Sequence, residues 1–212
     1  MGLETERKTL KSTTQRLIRS ALLPLWRQYK ADRIFRLPRL DGAWYTDALF
    51  PDVKSFDGNT CAQIFANGDY FATIYPMDSK AKCGDALKTF CREFGVPAVL
   101  RSDQAPEMVG RKTAFQAEVR KHGIYHHPGE ANMHNQSPAE GVVREVKKRW
   151  YRIMFQKRVP KMFWDYGMRW VGETMSRTHC RSHKADGGGV PLQKIVGETL
   201  DISEYIDFGF YD

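Results

Sequence analysis

The chain has no CxxC pair. Its four cysteines, Cys61, Cys83, Cys91 and Cys180, are scattered singly. That absence excludes the paired-thiol zinc knuckle and the thioredoxin-type redox motif, and leaves reduced, packed cysteines of an intracellular protein as the reading. No apolar run is long enough to span a bilayer, and the N-terminus lacks the apolar core of a signal peptide. There is no internal repeat and no low-complexity tract beyond the glycine triplet at 187–189. No Lys-Ser/Thr follows that triplet and no strand precedes it, so it is not a phosphate loop. Negative charge is in deficit too. Twenty-five acids stand against 33 lysines and arginines, a net charge of +8, which suits a polyanionic partner.

The 212 residues suffice for one well-buried domain with extensions, and 42% hydrophobic with 27% charged residues fits a globular chain. Residues 1–39 are basic and poorly periodic, interrupted by Pro24 and Pro38, and read as an N-terminal extension. From residue 40 to 160 the texture is that of a core. GAWYTDALF is a strand candidate, and NTCAQIFANGDYFATIYP gives two more strands joined at Asn67-Gly68, a dipeptide that favours a tight hairpin. Ala86, Leu87, Phe90, Cys91 and Phe94 recur at helical spacing from about 79 to 94, stopped by Gly95. PAVLRSD is a short buried strand. RKTAFQAEVRKHG is a helix ending at Gly123, and IYHHP is a short strand. A long helix runs from Ser137 to about Arg158. Residues 161–212 supply one more amphipathic helix, a loop at SHKADGGGVP and a tail expected to pack back on the core. Three strands, helix, strand, helix, strand, helix make an α/β fold with a mixed five-stranded sheet, the element order of the ribonuclease H-like fold.

Three carboxylates sit in three of these elements: Asp47 in the first strand, Asp103 at the end of the fourth, and Glu140 at the start of the long helix. Phosphodiester chemistry on DNA gives such a set a purpose, because two Mg²⁺ ions about 3.5–4 Å apart can activate an attacking oxygen and stabilise a leaving one. Mg²⁺ takes hard oxygen ligands and keeps several waters, so two or three carboxylates on rigid elements suffice. Each also has a plainer role available. Asp103 in SDQAP suits a turn, Asp47 suits an inward polar position on an edge strand, and Glu140 suits a capping box with Ser137. Along the helix, Val143, Val146, Trp150 and Ile153 form the core side, while Arg144 and Lys147 share the face of Glu140 and Lys148 lies one step round. Gln136 points the same way if the turn continues. That stripe is either a solvated face or a metal ligand followed by a track for phosphates.

YTDALF, NTCAQIFANGDYFATIYPM, GVPAVLRSD and NQSPAEGVVREVKKRW together resemble the catalytic core of retroviral-type integrases, and most of all that of copia-type LTR retrotransposons, where it forms part of a pol polyprotein. The similarity spans roughly 42–160. GETLDISEY resembles the segment that follows the core in some of these elements. Asp103 and Glu140 stand 37 positions apart, close to the family's separation. The resemblance implies a ribonuclease H-like core, a D,D,E triad of Asp47, Asp103 and Glu140, and two Mg²⁺ or Mn²⁺ ions. It also implies trimming of element DNA ends and joining of the new 3′-hydroxyl to target DNA. Gln136, Arg144 and Lys147 match family positions that face DNA. DNA and further copies of the chain would be the partners, and the nucleus the compartment in a eukaryotic host. The chain departs from the pattern in two places. Gln104-Ala105 follows the second aspartate in place of Asn-Gly or Gly, and no HHCC zinc module is visible.

Two further readings stay beside the integrase: a decayed or repurposed DNA-binding module, and another ribonuclease H-like nuclease acting by hydrolysis alone. His179-Cys180-x-x-His183 has the spacing of a zinc site if both histidines lie on one helix, but a surface helix end with solvated histidines is the reading preferred. His122, His126 and His127 read as exposed or core histidines beside a loop. Cys83 and Cys91 lack the cues of a nucleophile. Trp150, Phe163, Trp164 and Trp170 read as packing residues.

Overall fold

In this computed structural model the described residues are 3–13, 37–129, 138–180, 188–207 and 209–211. A helix α1 (Leu3–Ser12) stands first. The strands are β1 (Arg39–Leu49), β2 (Cys61–Asn67), β3 (Ala72–Met77), β4 (Val96–Ser102) and β5 (Tyr125–Pro128). Among them lie α2 (Cys83–Glu93), the one-turn α3 (Pro106–Val109) and α4 (Ala114–His122). After them come α5 (Pro138–Gln156), α6 (Trp164–Arg177), α7 (Pro191–Val196) and α8 (Ser203–Asp207). The strands form one sheet in the order β3-β2-β1-β4-β5. β1, β2 and β3 pair antiparallel, whereas β4 and β5 run parallel to β1.

Side-chain alternation divides the core into two layers. Trp44, Phe65 and Leu100 face α2 and α4 and pack with Phe90 and Phe115. Leu49, Ile64 and Ile74 face the other way, against Val143, Val146 and Trp150 of α5 and Trp164, Met168 and Val171 of α6. β2 is buried on both faces from Cys61 to Ala66, which explains a run that is apolar except for Gln63, whose buried amide donates to Thr46 Oγ1. The core face expected for the long helix is the one that packs: Val143, Val146 and Trp150 are buried, and Ile153 lies against the same cluster.

The connection between β2 and β3 is longer than the Asn-Gly dipeptide suggests. Asn67 N donates to Phe71 O, leaving three loop residues, and Tyr70 takes the left-handed conformation at φ 66. Asn67 Oδ1 accepts from the backbone N–H of Asp69 and of Phe71, so the asparagine side chain closes the loop and the two-residue turn does not form. Residues 50–60, between β1 and β2, reach across to the start of α6 and the turn before it. Phe56 N donates to Met162 O, Asn59 Nδ2 to Asp165 Oδ2, and Tyr166 Oη to Asp57 Oδ2. α1 is tied to the end of α6 by the His179 N–H, which donates to Thr9 Oγ1 at 2.9 Å. No helix of the described residues is long and apolar enough to cross a membrane.

Candidate active site

β1 lies in the middle of the sheet, so Asp47 is not an edge-strand residue. It pairs with Ile64 across the antiparallel ladder, and Ile64 belongs to the α5/α6 core layer. Paired residues share a face, so the half-buried Asp47 projects toward the layer that α5 and α6 cover. Its Oδ1 accepts from Ala48 N at 2.8 Å.

Asp103 is the first residue after β4 and is exposed. The parallel ladder between β1 and β4 runs through Trp44↔Leu100 to Tyr45↔Arg101. Two further residues along each strand arrive at Asp47 and at Asp103. The two aspartates therefore lie on neighbouring parallel strands, just past their last paired residues, toward the carboxyl edge of the sheet. Open α/β sheets bind their ligands at that edge. Alternation puts Asp103 on the face of Arg101, which is also the face of Asp47.

The backbone at Asp103 is braced from behind. Gln116 Nε2 donates to Met108 O at 2.6 Å and lies 2.7 Å from His126 Nδ1, which therefore accepts. The ring proton then sits on Nε2, 2.8 Å from Ser102 Oγ, and the Ser102 hydroxyl donates to Asp103 O at 2.7 Å. Burial lowers the His126 pKa, with a smaller contribution from neighbouring His127, and this favours the neutral ring that the chain of hydrogen bonds requires. The front of the loop is closed by Asp103 Oδ1, which accepts from Ala105 N at 3.4 Å, the turn role expected for this residue. Gln104, where the chain departs from the family pattern, donates through Nε2 to Gly129 O at 2.9 Å. Gly129 N donates in turn to Ser102 O at 2.7 Å. The glutamine thus fastens the loop to the end of β5.

Glu140 falls in the first turn of α5; its side chain, like the whole of Gln136, lies outside the described residues. α5 packs through Val142, Val143, Val146 and Trp150 on the face that carries Asp47, while Arg144, Lys147 and Lys148 are exposed on its outer side. Among the described residues no group of three His, Cys, Asp or Glu side chains could hold a metal ion. Asp47 and Asp103 are both oxygen donors, the ligand type that a hard cation takes.

The remaining candidates take structural places. α6 ends at Arg177, so His179 lies beyond the helix and cannot share a helical face with His183, which is outside the described residues. His122 lies 3.2 Å from Glu118. Burial pushes the Cys83 thiol up to about 11 and the Cys91 thiol up to about 12, the opposite of what a nucleophile needs. Trp150 and Trp164 are buried, and Phe163 and Trp170 half-buried. Sequence reasoning missed Ser102 and Gln116. Their contacts to His126 span 24 and 10 residues, and no local pattern marks them.

A chain in the cryo-EM structure of a simian T-cell lymphotropic virus intasome in complex with PP2A regulatory subunit B56 gamma is similar to this one. The TM-score is 0.52 at 14% identity, over 74% of this chain and 57% of the other, so this chain spans little more than half of its neighbour's length. No protein-family model and no curated protein matches the sequence. At this identity the likeness is one of fold, and together with the strand order it makes the fold class α/β with a ribonuclease H-like core.

Proposed function

We propose that this chain is the catalytic core of a retrotransposon integrase, a polynucleotidyl transferase that trims and joins DNA ends. The observation that supports the reading is that Asp47 and Asp103 lie on adjacent parallel strands, each two residues past the pair Tyr45↔Arg101, with the helix α5 packed on the sheet face of Asp47 and Glu140 in its first turn. Asp47, Asp103 and Glu140 would hold two Mg²⁺ or Mn²⁺ ions, which supply activation of the attacking oxygen and neutralise charge on the transferring phosphate. The chain's own part is positional. β1 and the braced loop after β4 fix two carboxylates. The buried valines of α5 fix the helix that carries the third, and Arg144, Lys147 and Lys148 with Gln136 receive the DNA backbone. In end trimming, a water oxygen bonds to phosphorus as the bond to the 3′ oxygen breaks. In joining, the freed 3′-hydroxyl oxygen bonds to a target phosphate and displaces a strand oxygen.

Joining acts on two ends at once, so the working unit is a multimer on DNA, a segment of a larger pol polyprotein acting in the nucleus of a eukaryotic host. The test is a joining assay with matched element ends. It should show Mg²⁺- or Mn²⁺-dependent products that disappear in Asp47→Asn, Asp103→Asn and Glu140→Gln. Cleavage without joining would point instead to a hydrolytic nuclease, and salt-sensitive binding without turnover to a decayed binding module.

A further inference from the structure

Among the described residues, helices cover only half of the sheet face that carries the two aspartates. α5 and α6 pack on β2 and β3. Beyond β1 the same face continues over β4 and β5, where the ladder pairs Val99 with Tyr125 and Arg101 with His127. Tyr45, paired with Arg101 across β1 and β4, lies on this face as well. The register therefore lines up Tyr45, Arg101, Tyr125 and His127 as one strip. Tyr125 is 63% exposed, and Arg101 and His127 are exposed too. The Arg101 guanidinium lies 5.7 Å from the centre of the Tyr45 ring, and the rings of Tyr125 and His127 meet edge-on at 5.4 Å. Arg101 forms no ion pair among the described residues. Two strand residues, about 7 Å, separate it from Asp103.

An arginine laid on an aromatic ring, beside a second exposed aromatic ring, is a surface with both elements that single-stranded nucleic acid requires. It offers a cation for the phosphate and π-faces for the bases. A duplex offers its bases only along its grooves, whereas unpaired nucleotides offer their faces. We infer that the strip formed by Tyr45, Arg101, Tyr125 and His127 binds the unpaired stretch of the DNA strand that runs off the Asp47–Asp103 edge. Bases stack on Tyr125, and a phosphate sits at Arg101. The inference rests on the integrase reading for its substrate and adds to it a second DNA contact, on the sheet instead of on α5.

The test is equilibrium binding, by fluorescence anisotropy in EDTA so that no chemistry proceeds, of a labelled DNA duplex with a short single-stranded thymidine extension and of the same duplex with a blunt end. The wild-type chain should prefer the extended duplex. Tyr125→Ala should lose roughly fivefold to hundredfold in affinity for the extended DNA and little for the blunt DNA, and Tyr125→Phe should retain the preference because the ring face is kept. Arg101→Ala should lower the salt dependence for the extended DNA by about 0.7 in slope, with Arg101→Lys restoring it. Both side chains are exposed, so unaltered melting temperatures will separate lost binding from lost folding. Equal wild-type affinity for the two DNAs, or a preference untouched by Tyr125→Ala and Arg101→Ala, overturns the strip alone if metal-dependent joining persists. Failure of the wild-type chain to bind either duplex overturns the strip and the integrase reading together.

Discussion

Two helical glycines should respond to the same substitution with opposite sign. Gly84 is near the start of α2, where that helix crosses α4 so closely that a Cβ would lie 2.6 Å from the Ala114 carbonyl carbon and 2.7 Å from Phe115 N. Carbon contacts settle near 3.5–4.0 Å, so Gly84→Ala must push two backbones apart by about 1 Å. Overpacking against backbone belongs at the upper end of the usual range, about 2–3 kcal/mol, and the better helix propensity of alanine returns about 1 kcal/mol of it. The net loss of about 1–2 kcal/mol corresponds to a melting temperature lower by roughly 2–8 °C for a chain of this size. Gly141, one residue after Glu140, is the counterpart. A Cβ there would meet nothing within 4 Å, and neither glycine is in the left-handed region. Gly141→Ala should therefore stabilise α5 by about 0.5–1 kcal/mol, raising the melting temperature by roughly 1–4 °C. Differential scanning calorimetry of the two variants reads both signs. A Gly84→Ala protein as stable as wild type would refute the close helix crossing, and a destabilised Gly141→Ala protein would refute the open surface at the start of α5. α4 also carries Gln116, so loosening its crossing with α2 should slacken the brace behind Asp103 as well.

Three other outcomes follow from the same structure. His126 has a folded-state pKa below its unfolded value because of burial, so its contribution to stability is complete above about pH 6.5 and is lost as the pH falls through the folded value. The melting temperature should drop on acidification from neutral pH, and less steeply in His126→Gln; the half-buried His179, lowered by burial and by Lys8, should add a component that this variant retains. Arg144→Glu and Lys147→Glu should each weaken binding to blunt duplex DNA and reduce the salt slope by about 0.9 for every phosphate no longer neutralised, read from anisotropy titrations at several salt concentrations. Alkylation of the native protein near pH 8, followed by peptide mass mapping, should leave Cys83 and Cys91 unmodified, because burial holds both thiols protonated and out of reach, and should label the half-buried Cys180 first.

Much of the sheet was legible because its signals are local. β4 has a short apolar run, α4 ends at Gly123 in the left-handed conformation, and the buried valines of α5 follow helical spacing. The face on which Asp47 lies was not legible. It depends on β1 being central and on its register against Ile64, both set by pairing with other strands. The hairpin after β2 misled because the side chain of Asn67 outcompeted the turn preference of the dipeptide. α3 is a single four-residue helix, too short to show periodicity. The brace of Ser102, His126 and Gln116 exists only because the parallel crossover brings β5 beside β4, and a single histidine in HHP carries no mark of it. The open strip beside the aspartates escaped for the same reason: Arg101 and His127 become neighbours only in the sheet.

The most direct measurement of the central claim is a calorimetric titration of Mn²⁺ into the chain bound to a DNA end, compared across wild type, Asp47→Asn and Asp103→Asn. Divalent-ion uptake is expected in the wild-type complex, and either substitution should abolish or strongly weaken it while DNA binding persists. Uptake unchanged in both variants would show that the two strand-end carboxylates are not where the ions are held, and would contradict the assignment of this sheet edge as the reaction centre.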